Sequence, residues 1–149
     1  TWLKHYSHKT LIINIKEEGL EKRILKILKK NNIKNFFLLD QSFPFLIKYS
    51  NSFFSKTAGR ISEYQTIEPI KIIKNRINWV WVDCFNIFPL NKNKYDILKK
   101  MNLKLCYVSP ELQGVHNTKK IERFISFLLK KKLIPDAVCT KYPKLWKNI

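Results

Sequence analysis

Six short apolar runs along the chain each release polar, mostly ionisable groups at the carboxyl end. Leu11 to Lys16 carries Asn14 and Lys16. Phe36 to Asp40 ends in Asp40, with Ser42 beyond it. Thr57 to Ile61 carries Arg60 and leads to Ser62 and Glu63. Trp79 to Asp83 ends in Asp83, Lys104 to Val108 leads to Ser109 and Glu111, and Ala137 to Thr140 ends in Thr140 beside Lys141. If the runs are parallel strands, these groups share one rim. Mixed charges gathered in a cleft can tune one another's pKa values and bind a polar ligand. Each residue also has a plain structural reading. Asp40 or Ser42 can cap the helix that follows, and Arg60 and Glu63 can form an ion pair.

The elements needed to hold such a rim follow from the apolar pattern. LIINIK is β-branched and reads as a buried strand. Leu20 to Lys30 places Leu20, Ile24, Leu25, Ile27 and Leu28 along one side of a helix. FFLLD is the next strand, after which Ser42 caps a short helix that tolerates Pro44 in its first turn. TAGRI is a third strand, followed by a short helix over Ile67 to Ile77. WVWVD is a strand with Trp79 and Trp81 on one face, both read as core. Lys92 to Met101 is a helix with Tyr95, Leu98 and Met101 inward. KLCYV is a strand. Thr118 caps a helix to about Lys131, with Ile121, Phe124, Ile125 and Leu128 inward. AVCT is the last strand, and Pro143 starts a short terminal helix.

Strand and helix thus alternate six times, with strands roughly 20–33 residues apart, the cadence of a parallel sheet covered by helices. An open doubly wound sheet and a closed barrel both fit that order, and both put ligands beyond the carboxyl ends of the strands.

The chain has 149 residues, a length that suits one domain, and 45% of them are apolar, enough for a sizeable core. Its formal charge of +18, from 29 Lys and Arg against 11 Asp and Glu, suggests either an anionic partner or a Lys-rich composition of the kind an AT-rich genome imposes. Lys is spread over every predicted helix, and Arg is confined to Arg23, Arg60, Arg76 and Arg123. That spread favours composition over a nucleic-acid face, which concentrates Arg and Lys together. Non-specific nucleic-acid binding through the Lys excess is the weakest functional alternative.

Cys84, Cys106 and Cys139 are odd in number and lack C-x-x-C spacing, which argues against a disulfide framework or a zinc site. All three read as buried core thiols in a reducing compartment, so a cytoplasmic location is expected. No stretch approaches a membrane span, and no signal peptide opens the chain. His5 and His8 precede the first strand, at the wrong end for the rim. His116 lies in the loop after the fifth strand and could serve as an acid or base, although a lone loop His is more often simply solvated. No phosphate-cradling Gly-rich loop, nucleophile elbow or paired-His motif occurs.

The residues also resemble a family. LIINIKEEGL is similar to the strand carrying the I-E-I-K motif of glycerophosphodiester phosphodiesterases. It is closer still to an L-N-I-K-x-x-G-L variant in a bacterial group of related barrels. FFLLDQSFPFLIKY, AGRISEYQTIEP, WVWVDCF and LCYVSPELQG resemble that group's successive strand ends, and DAVCTKYPKLW resembles the family's D-G-I-x-T-D-Y-P close. The resemblance covers nearly the whole chain. It implies a phosphatidylinositol phospholipase C-like (β/α)₈ barrel, a TIM barrel, of which these residues supply strands three to eight and their outer helices.

The same resemblance implies phosphodiester hydrolysis with a divalent cation, Mg or Ca, and two His. Lys16 and Arg60 would bind the phosphoryl oxygens, while Asp40, Glu63, Asp83 and Glu111 would orient substrate hydroxyls or position the two cations. The pattern departs from the family at three points. Its His-Arg-Gly motif, acidic pair and second His, which lie upstream in the family, do not occur here. Asn14 stands at the metal-binding Glu, and a neutral amide is the weaker ligand for a hard cation. Lys141 replaces the usual Asp near the close. The residues present therefore do not support the cation. A non-catalytic module that binds a polyol phosphate or a glycan is the alternative. A six-strand arc would also expose two strand edges, so the chain is expected to be poorly soluble or to self-associate.

Overall fold

The computed structural model describes residues 2–7, 9–53, 56–114 and 117–149. It has six strands, β1 (Leu11–Asn14), β2 (Phe36–Leu39), β3 (Ala58–Ile61), β4 (Trp79–Val82), β5 (Lys104–Val108) and β6 (Ala137–Cys139). The helices α1 (Glu21–Lys30), α2 (Phe43–Phe53), α3 (Glu68–Ile73), α4 (Lys92–Lys100) and α5 (Thr118–Lys131) alternate with them. The protein is a mixed α/β fold with parallel sheets. β1 pairs in parallel with β2, and a four-stranded sheet runs β3-β4-β5-β6, with β4/β5 and β5/β6 parallel.

The chain divides into two compact units. The first comprises Thr1–Ala58 with Asn75–Asn78, and the second Gly59–Lys74 with Trp79–Ile149. In the first, Ile15, Leu28, Phe36 and Leu38 form a core against which Leu11, Ile13, Ile24, Leu25 and Ile33 pack. The register Leu11↔Phe36 and Ile13↔Leu38 puts these strand residues on one face, as period-two alternation requires. LIINIK was expected to be buried. Instead β1 is only half-buried and ends in an exposed Asn14, and among the described residues β2 is the strand it pairs with. Ile27, expected inward, is exposed on α1.

In the second unit β4 is buried throughout, and β5 is buried after Lys104. Val80, Val82, Leu105 and Tyr107 share one sheet face by register. That face meets the helices: Phe88 sits edge-on to Tyr107 at 5.1 Å and to Phe124 of α5 at 5.2 Å. Leu98, Ile121 and Leu128 are fully buried beside it. Trp79, Trp81 and Asp83 belong to the opposite face. Trp79 and Trp81 are buried core, as expected. Of the cysteines, all free, only Cys106 is fully buried, and Cys84 and Cys139 are half-buried at strand ends.

The helix boundaries differ from expectation where capping decides them. α3 ends at Ile73, and a 3₁₀ turn, Lys74–Arg76, takes the place of its last turn. The Ser42 carbonyl accepts the first bond of α2, from the Leu46 N–H, but its hydroxyl caps nothing. α5 is capped by Asn117, which accepts from the Lys119 N–H at 3.0 Å, and Thr118 is already helical. Asn117→Ala should cost about 1 kcal/mol in urea unfolding, and Thr118→Ala clearly less. Among the described residues no helix is long and apolar enough to cross a membrane.

Candidate functional site

Within the second unit, the carboxyl ends of β3 to β6 gather four of the ionisable groups singled out in the sequence. Asp83, 3% exposed, follows β4. Its Oδ1 accepts from the Trp81 indole N–H at 3.0 Å and from the Gln113 amide at 3.0 Å. Its Oδ2 lies 3.3 Å from Nη1 of Arg60, whose side chain is about one-third exposed. Arg60 is thus held on one side by a buried carboxylate that is itself fixed by two donors.

Glu63 does not pair with Arg60, contrary to the ion pair considered from sequence. β3 ends at Ile61, and the chain turns at Ser62, whose hydroxyl accepts the Tyr64 N–H. Glu63 instead accepts three consecutive backbone N–H groups, from Phe85 (3.2 Å), Asn86 (2.5 Å) and Ile87 (3.1 Å). Successive N–H groups make an anion-binding concavity, here filled by the chain's own carboxylate. Burial pushes the Glu63 pKa up, but these N–H groups outweigh it and hold the carboxyl below its ordinary range.

Glu111 sits at 3% exposure in a 3₁₀ turn, Pro110–Gln113, after β5. One of its oxygens accepts the Ser109 hydroxyl. The other accepts from Thr140 Oγ1 at 2.6 Å and the Lys141 N–H at 2.8 Å, tying the end of β5 to the end of β6. Burial raises its pKa, and the Ser109, Thr140 and Lys141 donors more than reverse that. The half-buried Cys84 thiol is pushed up to about 11 by burial and by the Glu63 and Asp83 charges. Burial also raises Cys106 and Cys139. Thiols shifted upward are poor nucleophiles at neutral pH.

In the first unit, Lys16 Nζ lies 3.5 Å from Asp40 Oδ2. Asp40 takes a left-handed backbone, φ +60°. The Lys16 side chain is 76% exposed, so this pair contributes little to stability. His5 is exposed, while His8 and His116 lie outside the described residues.

Sequence reading missed Gln113 and the Trp81 indole as partners of Asp83. The second was available, since residues two apart on a strand share a face. Asn14 is a neutral amide at the end of β1, and among the described residues no three His, Cys, Asp or Glu side chains are placed to hold a metal. Comparison with protein-family models, curated proteins and solved structures returns no match for this chain.

Proposed function

We propose that this chain recognises a phosphate ester of a small polyol through Arg60, and that it acts as a binding module rather than a hydrolytic centre. The observation that carries the reading is the Arg60–Asp83 pair at 3.3 Å, anchored by Trp81 and Gln113. A guanidinium has five donors in a rigid fork and binds phosphate bidentately. Holding it from behind with a buried carboxylate lowers the entropy lost when the anion arrives.

Glu63 and Glu111 supply the argument against chemistry. Both spend their oxygens on the chain's own donors and are held below the usual carboxylate range. A general acid or base works best with a pKa near the working pH. The finer architecture belongs to the same proposal: the two sheets are arcs of one (β/α)₈ barrel of the phosphodiesterase type, with β1 to β6 as its strands three to eight. Parallel pairing and strict strand–helix alternation support it.

Calorimetric titration of the whole chain with glycerol 3-phosphate tests the reading. Arg60→Ala should weaken binding at least about tenfold, and Arg60→Lys less, because Lys offers a point charge without the fork. Equal affinity for wild type and Arg60→Ala would overturn the assignment. Turnover of glycerophosphocholine above the buffer rate would replace the binding module with the hydrolase.

A further inference from the structure

The first unit holds a cavity of about 180 Å³ at the carboxyl ends of β1 and β2, lined by Ile15, Lys16, Glu17, Glu18, Glu21, Asp40 and Ser42. Four of the chain's 11 acidic residues line this one space, against a single Lys. Taken alone, a cluster of exposed carboxylates is a solvated surface. Glu21 is different, because it is completely buried. Its Oε1 accepts the Gln41 amide at 3.1 Å, yet its Oε2 has no partner among the described residues. Ser42 Oγ, on another residue that lines the cavity, is also buried and unmatched, as is Oε1 of Gln41, which does not line the cavity but donates to Glu21. Buried polar groups in native proteins are almost always hydrogen-bonded, and a charged one without a partner carries a large desolvation cost.

The unmatched atoms identify the complement. As a carboxylate, Glu21 can only accept at Oε2, Gln41 Oε1 can only accept, and Ser42 Oγ can accept or donate. Four acidic residues and one Lys line the cavity, the reverse of a chain whose net charge is +18. The ligand must therefore bring donors and positive charge. A metal ion needs several oxygens converging at short distance, and no three acidic side chains are so placed among the described residues. An ammonium needs only three acceptors at ordinary hydrogen-bond lengths. The space amounts to about six water volumes, which suits a ligand of a few heavy atoms.

The geometry points to a binding site for a small primary ammonium in this cavity, with Glu21 as its buried counter-charge and Ser42 as a further acceptor. The site is independent of Arg60 and does not rest on the phosphate reading.

Thermal melts and calorimetry of the whole chain with ethanolamine test it, with tetramethylammonium as a probe of equal charge and no N–H donor. Ethanolamine should bind and raise Tm with concentration, as any ligand of the native state does, and tetramethylammonium should do neither. Glu21→Gln should weaken ethanolamine at least about tenfold and leave glycerol 3-phosphate binding unchanged. No binding of ethanolamine by wild type overturns the proposal. So does equal binding of both ammonium probes, which would mark a surface charge effect, or a Tm response to Mg or Ca alone, which would mark a metal site. The two-probe comparison on wild type stands even if the Glu21 variant fails to fold.

Discussion

Glu111→Ala is expected to destabilise the protein by about 3 kcal/mol, since it removes a buried, charge-assisted set of three hydrogen bonds. The loss falls where β5 and β6 end. Without the carboxylate, the Lys141 N–H loses its acceptor, and Ser109 and Thr140 lose the group that joins them. Glu111→Gln keeps one acceptor oxygen for Thr140 and Lys141, and its amide can donate to the Ser109 hydroxyl. It should cost about half as much. Acidification provides a check without mutation. Glu111 and Glu63 both ionise more readily folded than unfolded, so each stabilises the fold above the unfolded carboxyl pKa of about 4.3. That contribution is lost as pH falls through the lower folded values. Urea unfolding at pH 7, 4 and 3 should show stability dropping below about pH 4.3, and dropping less steeply in Glu111→Gln. Identical slopes would mean that Glu111 does not carry the effect.

The strands could be read from sequence because burial on both faces leaves an uninterrupted apolar run. FFLL and WVWV are buried at every position. Register and alternation then follow from the pleat, which is why the rim residues of β3 to β6 could be named in advance. Their partners could not. Glu63 meets a loop more than 20 residues away along the chain, and nothing in R-I-S-E shows that the backbone of Phe85 to Ile87 will present three N–H groups. Capping failed at a finer scale. Asn117 and Thr118 are adjacent and both can cap, and a one-residue shift in helix start decides between them. Glu21 was the least legible residue. In Leu20 to Lys30 it falls in the first turn of a charged helix, where an acidic side chain is favoured by the helix dipole, so sequence gave no reason to expect full burial.

Asp83→Ala should be comparably damaging, about 3 kcal/mol, and for a reason that separates it from Arg60→Ala. Removing the carboxylate strips its acceptor from the indole N–H of Trp81, a residue 8% exposed, and water cannot easily replace it there. Arg60 is about one-third exposed and can be solvated, so losing either end of the salt bridge costs less on the arginine side. The expected order of destabilisation is Asp83→Ala, then Asp83→Asn, then Arg60→Ala. Asn keeps an oxygen for Trp81 and Gln113 but turns N–H groups toward the guanidinium. If Asp83 positions Arg60 for an anion, Asp83→Asn should also weaken glycerol 3-phosphate binding severalfold under conditions where the variant is fully folded. Urea denaturation with Trp fluorescence, together with the double variant of Arg60 and Asp83, measures their coupling. A cost for Asp83→Ala within 1 kcal/mol of wild type, or additive single variants, would show that the carboxylate neither anchors the strand end nor holds the arginine in place.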